Sequence, residues 1–104
     1  MNKLRVGICG WGNVATGLFK TLQTNSVEIK KRSNLEIEII AIGARRDNPK
    51  CDPGNVIIER DIFNIIDHDI DVIVELIGGV DVARDLILKA LNAKKHVVTA
   101  NKAV

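Results

Sequence analysis

Three glycines, Gly7, Gly10 and Gly12, fall within six positions where one apolar segment, LRVGIC, gives way to another, VATGLF, each of which needs a core. From the second of them the chain reads Gly10-Trp11-Gly12-Asn13-Val14-Ala15, the form G-x-G-x-x-G/A. Between a strand and a helix, that spacing makes a cradle for a diphosphate. The first glycine allows the tight turn, the second lets a pyrophosphate reach the backbone, and the third position must be small so that helix and strand pack closely. Ala15 meets the last demand. The anion then rests on free N–H groups at the helix N-terminus. The competing reading is that the glycines only make a turn.

Two other stretches suit the same ligand. Ala44-Arg45-Arg46 ends the second predicted strand, where an acidic residue would favour the ribose hydroxyl of NAD and an arginine the 2′-phosphate of NADP. The arginines point to NADP, while Asp47 beside them keeps NAD as the alternative. Arg45 follows Gly10 by 35 positions, against a usual spacing of about 20, which a long first helix would explain. As a charge run, these residues also fit a plain solvated loop. Gly78-Gly79 ends the third full strand, at the edge where open α/β sheets bind ligands, and leaves room for a nicotinamide; a turn before the next helix is the plainer reading. His68 stands among Asp67, Asp69 and Asp71 but lacks soft or regularly spaced ligands, so no metal site is expected, and His96 reads as structural.

The elements that must position these residues follow from hydrophobic periodicity. Leu4 to Cys9 suits a buried parallel strand. Val14, Leu18 and Leu22 mark one face of a helix, continued through Val27 to the basic Lys30-Lys31-Arg32, which suits a helix C-terminus. Ile37 to Ile42 form a second strand, and the proline-containing stretch 45–55 a loop. Val56 to Ile58 read as a short strand, Ile62 to Ile66 as a short helix, and the run from Asp71 to Gly79 as a strand. Asp81 is placed as the N-cap of a helix burying Ala83, Leu86, Ile87, Ala90 and Leu91, with Asp85 and Lys89 paired outside. HVVTA, from His96, is a last strand. The alternation predicts an α/β, Rossmann-type doubly wound parallel sheet.

Composition narrows the class. At 104 residues, with 46% hydrophobic and 27% charged residues and a net charge of +2, the chain reads as one soluble globular domain. So small a charge argues against nucleic acid or a membrane surface, and one Trp with no Tyr leaves few platforms for base stacking. No apolar run has transmembrane length and the start lacks a signal-peptide pattern. Cys9 and Cys51 have no paired spacing, so free thiols in a reducing cytoplasm are expected.

The segments VGICGWGNV, ARRDNPKCD, ELIGG and HVVTANKA together resemble homoserine dehydrogenase over essentially the whole chain, and the last two are the most specific. The resemblance implies an enzyme interconverting aspartate 4-semialdehyde and homoserine with NAD(P)H, on the route to threonine, methionine and isoleucine. It implies that residues 1–104 are the N-terminal, cofactor-binding portion of a longer homo-oligomer whose substrate domain lies downstream, so that this piece alone would not turn over. It further implies that Gly10, Gly12, Asn13, Val14 and Ala15 hold the pyrophosphate, Arg45 the NADP phosphate and Gly78 the nicotinamide, with Lys102 an active-site lysine. Lys102 follows a strand's C-terminal end, where desolvation would lower its pKa and fit it to pass a proton to a carbonyl oxygen. Asn13 stands where the family often has threonine, Ala15 where it often has glycine, and Trp11 where it usually has an aliphatic residue. Two alternatives remain at this level: another amino-acid-pathway dehydrogenase, such as a diaminopimelate dehydrogenase, and a non-catalytic nucleotide-binding module.

Overall fold

The computed structural model describes residues 2–77 and 80–99. The elements run β1 (Asn2–Cys9), α1 (Asn13–Thr24), α2 (Ser26–Ser33), β2 (Leu35–Gly43), β3 (Ile57–Glu59), a 3₁₀ helix (Ile62–Asp67), β4 (Val72–Glu75), α3 (Asp81–Asn92) and β5 (His96–Thr99). The strands form one sheet in the order β3-β2-β1-β4-β5, and every pair is parallel. The chain winds outward from β1 on one side and then crosses to the other, which opens a crevice at the β1/β4 switch point.

Alternation along β1 feeds two cores. Val6 and Ile8 point to the face covered by α1, where they meet Ala15, Phe19, Ile42 and Trp11. Cys9 points to the opposite face, with Ile65, Ile70, Ile73, Leu86 and Ala90. Phe19 is almost wholly enclosed, a burial that contributes about 1.5–3 kcal/mol. Gly7 is required by packing on the second face, where a Cβ would lie 2.9 Å from Ile70 Cδ1.

Several expectations are corrected. The buried residues of α1 are Ala15, Thr16 and Phe19; Val14 is 66% exposed, because the helix turns its Ala15–Phe19 side to the sheet. The first helix does not continue to Arg32. It ends at Thr24, and Asn25 caps it, both the backbone N–H (3.0 Å) and the side-chain amide (3.1 Å) donating to Thr21 O. The separate α2 then carries the basic residues in its last turn, with Val27 exposed. Two helices in this crossover, rather than one long helix, account for the wide spacing between Gly10 and Arg45.

In α3, Asp81 is the first helical residue and Val80 the N-cap, with no capping bond from a side chain. Leu91 is 54% exposed, lying beyond the Ala83-Leu86-Ala90 stripe that meets the sheet. Lys89 does not pair with Asp85 but lies over the Phe63 ring, 4.6 Å from its centroid. The strand expected from Asp71 to Gly79 forms over Val72–Glu75; Leu76 keeps one bond to β1, its N–H donating to Cys9 O (2.8 Å), and Ile77 leaves the ladder. His68 Nε2 lies 2.7 Å from Glu59 Oε1. Among the described residues, no helix is long and apolar enough to cross a membrane.

The start of β4 is fixed by a reciprocal clamp. Arg5 N–H donates to Asp71 Oδ2 (2.9 Å), and Asp71 N–H donates to Arg5 O (2.8 Å). The bond from the Arg5 amide, assisted by the Arg5 guanidinium, holds the Asp71 carboxyl below its ordinary value. The stabilisation is therefore complete above the usual aspartate range, near pH 4, and is lost as pH falls through the lower folded-state value. Asp71→Asn keeps an acceptor but does not titrate. Urea midpoints measured from about pH 5 to pH 2 should fall less steeply for this variant than for the wild type.

Candidate functional site

The strand register brings five chain ends to one edge of the sheet. Cys9 pairs with Gly43 and Glu75, Gly43 with Glu59, and Glu75 with Thr99. Just beyond that edge is a cleft of about 400 Å³. Its walls are Gly10, Trp11 and Gly12 from the β1–α1 turn, Gly43 with residues 45–49 after β2, Ile62, and Leu76 with Ile77 after β4.

The two glycines of the turn differ physically. Gly10 has φ +106°, and a Cβ there would lie 2.8 Å from Leu76 O, so both conformation and space demand glycine. Gly12 has φ −90° and its Cβ would meet nothing within 4 Å. The fold does not need glycine at position 12. Without a side chain there, the backbone lies open at the cleft.

The first helical hydrogen bond of α1 runs from Thr16 N–H to Gly12 O (3.0 Å), so the amides of Asn13, Val14 and Ala15 precede it and have no acceptor within the helix. The first turn of α1 contains no acidic residue, whereas that of α3 contains Asp81. The positive end of the α1 dipole is thus left for an outside anion. Ala15 is buried beside Val6 and Ile8, where its small side chain allows the close helix–strand contact expected of it.

The loop after β2 closes the other side. Asn48 Nδ2 donates to Trp11 O (3.1 Å), and Cys51 is buried in the α1-side core, so the loop is tied to the glycine turn. Arg45 and Arg46 are exposed at the cleft and neither has an ion-pair or side-chain hydrogen-bond partner among the described residues, in contrast to Arg60. Arg60 pairs with Asp47 and donates to Ala44 O. The carboxylate next to the two arginines is thereby engaged. Diphosphate-seeking amides, room at Gly12 and unpartnered guanidiniums together fit an adenine dinucleotide.

Residues 10–104 match the family described as homoserine dehydrogenase, NAD binding domain. The chain belongs to that family. Homoserine dehydrogenases similar to it include those of Pseudomonas aeruginosa, 51% identical over the whole of this chain and 24% of that protein, and Methylobacillus glycogenes, 41% identical over the whole chain and 26%. Solved homoserine dehydrogenases superpose closely. The Staphylococcus aureus enzyme at pH 7.5 gives a TM-score of 0.88 at 33% identity, over 99% of this chain and 27% of that one. The Thiobacillus denitrificans enzyme gives 0.87 at 37% identity, over 97% and 24%. This chain thus spans about a quarter of the length of these homoserine dehydrogenases. Membership of the homoserine dehydrogenase NAD-binding domain family makes a nicotinamide dinucleotide the cofactor of the domain. It also sets aside the diaminopimelate dehydrogenase alternative.

Of the residues expected to bind, Gly10, Gly12 and Arg45 line the cleft, and Asn13, Val14 and Ala15 form the helix turn at its rim. Gly78 and Lys102 lie outside the described residues. Sequence reasoning missed three contributors. Trp11 has a physical role: its indole is buried edge-on against Phe19, with ring centroids 5.3 Å apart, while its backbone holds Asn48. Nothing at positions 11 or 48 signals this contact, which joins residues far apart in the chain. Glu75, fully buried, accepts from Ile77 N–H and Thr99; its only signal was that it is the single acid in the apolar run VIVELI, residues 72–77. Cys9 beside it is inert, its thiol pushed up to about 12 by burial and then by the nearby Glu75 charge.

The unlike glycines predict unlike mutants. Gly10→Ala should destabilise the domain by about 1–3 kcal/mol, through backbone strain and the Leu76 contact. Gly12→Ala should stay within about 0.5 kcal/mol of wild type. Urea denaturation of both variants checks the difference.

Proposed function

We propose that residues 1–104 form the cofactor-binding portion of a homoserine dehydrogenase that prefers NADP(H) and interconverts aspartate 4-semialdehyde and homoserine. The observation that carries the reading is the bare Gly12 backbone ahead of the unpaired amides of α1, in a chain of this family. In this reading Gly10, Gly12 and the amides of Asn13, Val14 and Ala15 hold the diphosphate, and Arg45 takes the 2′-phosphate. The engagement of Asp47 by Arg60 supports the NADP preference, since it removes the nearest acidic competitor for the ribose.

When bound, the nicotinamide supplies or accepts the hydride. Gly78, carrying no side chain, leaves space for that ring, and Lys102 acts as the catalytic residue. As the aldehyde carbon is reduced, the Lys102 ammonium gives a proton to the carbonyl oxygen, completing the alcohol; in the reverse direction the amine takes that proton back. The small-molecule substrate is held by residues beyond this chain, in a homo-oligomer working in the reducing cytoplasm, a setting that the two free cysteines suit.

Fluorescence titration with NADPH and NADH tests the cofactor reading. Arg45→Ala should weaken NADPH about tenfold, the loss of one charge-assisted contact, and leave NADH nearly unchanged. Gly12→Ala should weaken both, although the fold tolerates it. Equal wild-type affinity for the two cofactors would refute the phosphate role of Arg45. In the full-length protein, Lys102→Met should lower kcat by about 10²–10⁴ while cofactor binding persists, the span expected for a lost general acid.

A further inference from the structure

Glu75 is the one charged side chain among the described residues that is fully buried. The register aligns it with Cys9 on β1 and Thr99 on β5, in one row at the sheet edge below the cleft. Oε1 accepts the Ile77 N–H at 2.8 Å and Oε2 accepts the Thr99 hydroxyl at 2.5 Å. An apolar side chain would fill this position without the desolvation penalty of a buried carboxylate. It would not reach Ile77, whose N–H has left the sheet ladder where β4 ends at Glu75. Leu76 N–H still donates to Cys9 O on β1 (2.8 Å); the carboxylate takes over at Ile77 N–H and so orients the peptide unit that carries the Leu76 carbonyl.

That backbone is part of the cleft. Leu76 and Ile77 line it, and Leu76 O and C are the atoms that a Cβ on Gly10 would approach to 2.8 and 3.0 Å. A shift of a few tenths of an ångström at Leu76 would press on the glycine turn. We propose that Glu75 is a positioning residue for dinucleotide binding, its buried carboxylate holding the Leu76–Ile77 segment clear of the Gly10 turn so that the diphosphate side of the cleft keeps its shape. The inference rests on the dinucleotide reading of the cleft. It gives Glu75 no contact with the cofactor, and it concerns the diphosphate side only, since the adenosine side is built by residues 45–49, on another loop.

The test uses the full-length protein and two probes: NADPH, and adenosine 2′-monophosphate, the fragment of NADPH that lacks both phosphates of the bridge and the nicotinamide. Glu75→Met fills a similar volume without acceptors. It should weaken NADPH about tenfold or more while the fragment stays within about twofold of wild type. Glu75→Asp keeps the charge but is one methylene too short for Ile77, and gives the same split if the methionine variant does not fold. Glu75→Gln accepts from Ile77 and donates its amide to the Thr99 oxygen, so it should bind both probes within about threefold of wild type. A purely structural role would weaken both probes alike. Such parallel loss, undiminished NADPH binding in a folded Met or Asp variant, or a loss in the Gln variant as large as in these, overturns the proposal. A wild-type protein that binds neither NADPH nor NADH overturns the dinucleotide reading itself.

Discussion

The turn at Gly10 is where three backbones meet. Its N–H donates to Gly43 O at the end of β2 (2.8 Å), its α-carbon faces the Leu76 carbonyl after β4, and its φ of +106° sends the chain from β1 into α1. No residue with a side chain satisfies all three conditions. Because the turn is this tight, the N-terminus of α1 lies directly over the sheet edge at the point where the winding of the chain changes direction. The cleft is a consequence of that geometry: its walls are the loops that leave β1, β2 and β4 at the same height.

Charge is distributed to suit the opening. The first turn of α3 carries an acid, Asp81, whereas that of α1, whose N-terminus faces the cleft, carries none. Polar groups inside the fold answer one another: no described side chain leaves a buried nitrogen or oxygen unpaired, and Glu75 is held by two donors. The unpartnered guanidiniums of Arg45 and Arg46 lie outside, at the cleft.

Much of the fold was legible because its signals are local. The glycine spacing, the apolar runs of the strands and the small residue at Ala15 each report a demand made by near neighbours in the chain. Side-chain orientation was harder to read. Val14, Leu18 and Leu22 make as good a helical stripe as Ala15, Phe19 and Leu22, and only the position of the sheet makes Phe19 the core residue and exposes Val14. The break at Asn25 was hidden for a related reason, since Ser26 to Ser33 continue a helical composition and the cap is a local matter of Asn25, which donates twice to Thr21 O.

The sequence by itself determined the α/β winding, the glycine cradle and, through ELIGG and HVVTANKA, the family. These are written in spacing and short motifs, which depend on backbone geometry within a few residues. Only the tertiary structure decided that Trp11 is a core residue held to Asn48, that Asp47 is occupied by Arg60, and that Glu75 grips Ile77 and Thr99. All three side chains owe their surroundings to a parallel sheet, which brings its strand ends to one edge from distant parts of the chain. A carboxylate's role there depends on which donors the fold delivers to it.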